Sequence, residues 1–156
     1  MQKITPFLWF NDQAEEAAKF YTSIFKNSRI TGISHYTEAA EKAARRPKGS
    51  VMTVTFQLDG QDFTALNGGP LFKFSEAVSL VVNCDSQQEI DYYWSKLSAG
   101  GAESQCGWLK DRYGFSWQIV PKTVIELLSK NDAKAERVMA AVLKMRKLDF
   151  ETLVNA

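Results

Sequence analysis

Histidine is almost missing from this chain of 156 residues: His35 is the only one. One imidazole cannot build a multi-histidine metal site. It also leaves no Ser-His-Asp or Cys-His constellation to assemble, because His35 lies among turn-proximal residues. Cysteine is nearly as scarce. Cys84 and Cys106 stand far apart and form no CxxC motif, which excludes a zinc knuckle or redox pair and leaves reduced, buried thiols as the expected state. No charge of one sign dominates: 19 Lys and Arg against 18 Asp and Glu give a net charge of +1, and no basic run exceeds Arg45-Arg46. Nucleic acid and anionic membranes therefore have no electrostatic footprint to bind. Long apolar runs are absent as well, none approaching the ~18 residues of a membrane span. Lys3-Ile4-Thr5-Pro6 reads as strand where a secretory signal would be apolar, so a cytoplasmic protein is expected. What remains, 45% hydrophobic and 24% charged, is the composition of an ordinary globular domain with a sizeable core.

Apolar periodicity gives the order of elements. Ile4 to Phe10 reads as a strand, with Thr5, Phe7 and Trp9 on one face and Ile4, Pro6, Leu8 and Phe10 on the other. Asp12-x-x-Glu15 has the capping-box pattern of a helix that presents Ala14, Ala17, Ala18, Tyr21 and Phe25. Arg29 to Thr37 alternates as a second strand, and the polar segment 38–48 reads as a mobile, partly helical excursion. Ser50 to Leu58 and Gln61 to Leu66 flank Asp59-Gly60, a strong hairpin signal. The order then restarts: a strand over Glu76 to Asn83, a helix from Asp85 carrying Ile90, Tyr93, Trp94 and Leu97, and strands about Glu103 to Lys110 and Phe115 to Val120.

A shift of 73 residues lays Asp12 on Asp85, Glu16 on Glu89, Phe20 on Tyr93, Tyr21 on Trp94 and Ile24 on Leu97. Such a repeat predicts two βαβββ modules, about 1–70 and 74–121. A helical tail over about 122–156 has no counterpart in the first module. Its longer helix, Asp132 to Met145, sets Val138, Met139, Val142, Leu143 and Met145 along one side. That stripe must be buried on its own domain or on a partner subunit, and a homodimer is expected.

The duplicated module, with its Ala-Glu-Glu-Ala-Ala-x-Phe-Tyr-x-x-x-Phe helix over Ala14 to Phe25, resembles the vicinal oxygen chelate, or glyoxalase/bleomycin resistance, superfamily. Phe7-Leu8-Trp9-Phe10, Leu66-Asn67-Gly68-Gly69-Pro70, Ser79 to Cys84, Cys106 to Asp111 and Gly114 to Pro121 are similar to its PhnB-like group. That group carries the label 3-demethylubiquinone-9 3-methyltransferase, and the similarity runs over essentially the whole chain. It implies an α+β fold of tandem βαβββ modules within a single domain, 1–156. One face of each curved sheet would pack on a helix and the other would line a cleft.

In the metalloenzymes of that superfamily the ligands, mostly His and Glu, come from the first strand and the last part of each module's sheet. Carried onto this sequence, those positions are Thr5 or Pro6, Asn67, Val78 or Ser79, and Gln118. Neutral amide and hydroxyl oxygens are poor ligands for a transition metal, so neither a tightly bound metal nor another cofactor is expected. A methyltransferase of the common Rossmann type would show a glycine-rich turn after its first strand, where this chain has Phe10-Asn11-Asp12-Gln13-Ala14.

The expected site is instead a ligand-binding set: Phe7, Trp9 and Trp108 as an aromatic wall, with Asn67, Ser79 and Gln118 as polar contacts. Each has a structural alternative, in core packing for the aromatics and in strand or turn bonding for the others. The leading expectation is a small-molecule-binding protein. The alternatives are a divalent-metal-dependent lyase, isomerase, transferase or dioxygenase, a methyltransferase as the label says, and a protein-interaction module built on the tail helix.

Overall fold

The computed structural model describes residues 2–156, and the chain divides into two compact units, Met1–Lys73 and Phe74–Ala156. The first contains β1 (Phe7–Phe10), α1 (Ala14–Ile24), β2 (Arg29–His35), α2 (Glu38–Ala44), β3 (Val51–Leu58) and β4 (Gln61–Asn67). Its four strands lie in the order β1-β4-β3-β2, with β1 parallel to β4 and the other pairs antiparallel. The expected hairpin closes at Leu58↔Gln61, with Asp59 (φ 49°) and Gly60 (φ 78°) both left-handed, as a two-residue turn between twisted strands requires. Alternation then sorts the faces. Leu8, Phe10, Val54, Phe56, Leu58, Phe63 and Ala65 are buried, as are the Ala14, Ala17, Ala18, Tyr21 and Ile24 side of α1. Phe56 joins the layers, its ring stacked on Phe63 at 5.5 Å and tilted against Tyr21 at 6.3 Å.

The second unit repeats this plan. It runs β5 (Ser79–Cys84), α3 (Gln87–Ser98), β6 (Ala102–Glu103), β7 (Trp108–Lys110) and β8 (Ser116–Pro121), with sheet order β5-β8-β7-β6. Strand for strand this is the order of the first sheet, so the fold is α+β with tandem βαβββ modules. Ile90, Trp94 and Leu97 of α3 are buried, together with Cys84, Leu109, Trp117 and Ile119 of the sheet. The tail forms α4 (Lys122–Ser129), α5 (Ala133–Val142) and α6 (Phe150–Val154), gathered on a core of Val124, Val138, Val142, Leu148 and Leu153.

Several local expectations are corrected. Asp12 does not cap α1: the cap position falls on Gln13, which makes no side-chain cap bond, and the Ala14 N–H is satisfied instead by Asn67 Oδ1 at 2.8 Å. In the second unit the capping box lies one residue beyond Asp85. Ser86 Oγ accepts from Glu89 N–H at 3.2 Å, and Glu89 Oε2 accepts from Asp85 N–H at 2.6 Å. The strand expected over Glu103 to Lys110 is broken, because Cys106 (φ 61°) and Gly107 (φ 83°) turn left-handed. Their N–H groups bond Met145 and Arg146 of the tail, each at 2.8 Å, and not a neighbouring strand. Segment 38–48 holds the seven-residue α2, capped by Thr37 and with no buried residue. On α5, Val138 and Val142 are buried, whereas Met139 and Leu143 are 41% and 63% exposed, so the expected single stripe is divided between two sides.

Both cysteines are free, Cys84 fully buried and Cys106 half-buried. Burial, reinforced by the nearby Glu89 and Asp85 carboxylates, pushes the Cys84 thiol up to about 12. It is therefore a small apolar core group at neutral pH and no nucleophile.

Candidate functional site

Each sheet has one face packed in its unit's core and one open face, and the expected site residues distribute between them. On β1 the side chains facing away from α1 are Phe7, 60% exposed, and Trp9, half-buried. Trp9 is firmly held. Its Nε1 donates to Gly69 O at 3.0 Å, Phe72 meets it edge-on at 4.9 Å, and a Cβ on Gly68 would fall 2.3 Å from its ring. The glycine of the Gly68-Gly69-Pro70 segment thus makes room for the indole. Beside these aromatics the register sets Thr64 against Phe7 and Leu66 against Trp9, then Thr55 and Thr53 on the next strand. Thr31 Oγ1 bonds Thr55 Oγ1 at 2.9 Å, and Ser34 and Thr53 share a hydroxyl–hydroxyl bond. The result is an open face of aromatic edge and hydroxyl interior.

Asn67 is not on that face. It is 6% exposed on the core side of β4, its Oδ1 taken by the Ala14 N–H and its Nδ2 donating to Val51 O at 3.1 Å. Its backbone carbonyl also accepts from the Tyr36 hydroxyl. The amide read as a ligand contact is committed to the fold, because α1 lacks a local cap and β4 delivers one.

In the second unit the structure brings three expected residues together. Trp108 and Gln118 are direct partners across β7 and β8, Val81 is Gln118's partner on β5, and Gln118 Nε2 donates to Ser79 Oγ at 2.9 Å. All lie opposite the buried Leu109, Trp117 and Ile119. The same alternation adds Lys110 and Ser116, which sequence reading passed over. Each stands two positions along the strand from a chosen residue, Trp108 or Gln118, and so shares its face. Lys110 is ion-paired with Glu76, and that ammonium holds the Glu76 carboxyl below the usual carboxylate range.

The polar chemistry of these faces is hydroxyl, amide and indole, with the Lys110–Glu76 ion pair on the second. Among the described residues no group of three or more His, Cys, Asp or Glu is placed to hold a metal ion, so the side chains do not fit a transition-metal site. No helix among them is long and apolar enough to cross a membrane.

The family model described as 3-demethylubiquinone-9 3-methyltransferase matches residues 2–120. The chain belongs to this family. A PhnB protein from Bacillus cereus that carries the same family's name is 40% identical, covering 77% of this chain and 99% of that one at a TM-score of 0.67. Protein PA1353 from Pseudomonas aeruginosa, 19% identical over 78% of this chain and 98% of its own, superposes at 0.61. The fosfomycin resistance protein FosX from Listeria monocytogenes, solved with Mn(II) and sulfate, is 16% identical over 85% of this chain and 100% of its own, at 0.57. These last two share the fold, and the PhnB and FosX proteins belong to the glyoxalase/bleomycin resistance superfamily. No curated protein matches the sequence.

For this PhnB-like chain the family's label implies a methyl donor. A nucleotide cofactor of the Rossmann kind would sit on free N–H groups at a glycine-rich strand-to-helix turn. Here the turn from β1 to α1 is Asn11-Asp12-Gln13, and the first helical N–H is already bonded to Asn67. The residues do not fit that group.

Proposed function

We propose that this PhnB-like chain is a small-molecule-binding protein that works without a tightly bound metal. Each unit offers an open sheet face to a ligand, the first through Phe7 and Trp9 and the second through Ser79, Trp108 and Gln118. One observation carries this reading: the Gln118–Ser79 bond uses one amide N–H and leaves the Gln118 carbonyl and the Ser79 O–H uncommitted on the sheet face that carries Trp108. A few placed polar groups against aromatic area is the usual make-up of a ligand site.

A thermal-shift screen of metabolites and aromatic antibiotics tests it. A ligand at 100 times its dissociation constant adds ~2.7 kcal/mol, several degrees in Tm, and Gln118→Ala is expected to abolish most of that gain. Hits that Gln118→Ala leaves intact would move the site elsewhere. Stoichiometric zinc, nickel, iron or manganese retained through gentle purification would overturn the metal-free reading.

The two free thiols support action in the reducing cytoplasm. Met139 and Leu143, four residues apart on the exposed side of α5, support a homodimer. Light scattering on the eluting protein is expected to give twice the chain mass and, for Leu143→Glu, the monomer mass. An unchanged mass in that variant would remove α5 from the interface.

A further inference from the structure

We propose that Ser79, Ser116 and Lys110 form a carboxylate-binding subsite on the side of the second sheet away from its core, where Ser116 is covered in the free protein and Glu76 holds Lys110 where a ligand's carboxylate would bind. This rests on the small-molecule reading above and gives its ligand a class. The register places the three side chains in one row across β5, β8 and β7, Ser79↔Ser116↔Lys110, on the face away from Leu109 and Trp117. Ser116 is 1% exposed, yet its Oγ has no hydrogen-bond partner. A buried hydroxyl without a partner is costly to a fold and persists where something else uses it. Ser79 Oγ already accepts from Gln118, which leaves its own proton free to donate. Lys110 supplies the charge. The row therefore offers two hydroxyl donors and one ammonium, a set that matches the oxygens of a carboxylate.

Glu76 shows how the row is kept closed. It lies three residues before β5 and pairs with Lys110, the β7 partner of Ser116. Both side chains of that pair remain substantially exposed, 42% for Lys110 and 62% for Glu76, and an exposed pair is readily exchanged. An incoming carboxylate would replace Glu76 on the Lys110 ammonium and gain the Ser116 and Ser79 hydroxyls that Glu76 does not use. Trp108, next to Lys110 along the face and opposite Gln118, would then take the ligand's flat apolar body. The class is a small carboxylic acid with an aromatic or apolar body.

Titration of the full-length protein with indole-3-acetate and 2-naphthoate, followed by backbone and indole NMR shifts, tests the subsite against the matching primary amides. The acids are expected to shift Ser79, Ser116, Lys110 and the Trp108 indole, and to bind at least ~10-fold more tightly than the amides. Lys110→Met should weaken the acids by ~10-fold, and Glu76→Gln should tighten them several-fold by freeing the ammonium. Ser116→Ala is the decisive variant: it should weaken the acids while leaving Tm unchanged or raised, since it removes a hydroxyl the fold does not satisfy. Equal binding of acids and amides, no tightening in Glu76→Gln, or no acid binding at millimolar concentration would each overturn the subsite. Uncharged ligands that bind through Gln118 while the acids fail would do so and leave the small-molecule reading standing.

Discussion

Replacing Asp111 by Ala is expected to lower the unfolding free energy by about 4–6 kcal/mol. Asp111 opens the turn between β7 and β8 and is only 2% exposed. Its Oδ1 accepts from the Tyr113 N–H at 2.8 Å and the Phe115 N–H at 3.1 Å, and its Oδ2 accepts from Trp117 Nε1 at 2.9 Å. Three donors on one buried carboxylate fix the turn and seat the Trp117 indole in the core. Hydrogen bonds to a charged group are worth about 1.5–3 kcal/mol each, and removing the acceptor also strands the donors in the interior. Asp111→Asn separates these terms. It keeps an oxygen for the two backbone donors but turns an NH2 towards Trp117 Nε1, so donor faces donor, and a loss of about 2–3 kcal/mol is expected. Adding Trp117→Phe removes the opposing donor, so the Asn substitution should cost less in that background than alone. Urea unfolding followed by far-UV circular dichroism measures the parent, the three single variants and the double variant. An Asp111→Ala protein within about 1 kcal/mol of the parent would mean that the carboxylate is not the anchor of this turn.

Asp111 also marks where the sequence stopped being legible. Asp111-Arg112-Tyr113-Gly114 falls between the two strands expected over Glu103 to Lys110 and Phe115 to Val120, and Gly114 adopts φ 82°. Nothing local shows that the aspartate faces inward, because its partner Trp117 is fixed only when β8 folds back on β7. The elements themselves followed from alternation and from the repeat. Period-two patterning on β3 and β4 separated Val54, Phe56, Phe63 and Ala65 from the open-face threonines, and the 73-residue shift carried α1 onto α3. Caps were harder. Asp85-x-x-Gln88 and Ser86-x-x-Glu89 are both plausible boxes one residue apart, and the choice went to the serine, which is extended at φ −150° and ψ 163°. Asp85 is left for an ion pair with Lys122 at 2.9 Å. The site residues split the same way. Ser79, Trp108 and Gln118 share a face because strand parity is local information. Lys110 and Ser116 follow from the same rule, each two positions along its strand from Trp108 or Gln118.

Asn67 is the residue whose role differs most from its sequence reading, and the difference is measurable. A ligand contact on an open face would tolerate truncation, and Asn67→Ala would then lower ligand affinity at unchanged stability. The structure implies the reverse. Losing Oδ1 uncaps α1 at Ala14, a helix with no other side-chain cap, which costs about 0.5–2 kcal/mol. Losing Nδ2 leaves the Val51 carbonyl without its side-chain donor, adding about 1 kcal/mol or more. Because one side chain joins the start of α1 to β3 from the end of β4, both losses fall together, and a total of about 2–4 kcal/mol is expected for Asn67→Ala. Asn67→Asp keeps an acceptor for Ala14, next to the positive end of the helix dipole, but sets a carboxylate oxygen against the Val51 carbonyl. It should fall between the parent and the alanine variant. Ligands found in the thermal-shift screen should bind the folded fraction of Asn67→Ala with unchanged affinity, provided titrations are run well below its Tm. If the variant instead retains parental stability and loses ligand, the amide serves the site and the cap on α1 is dispensable.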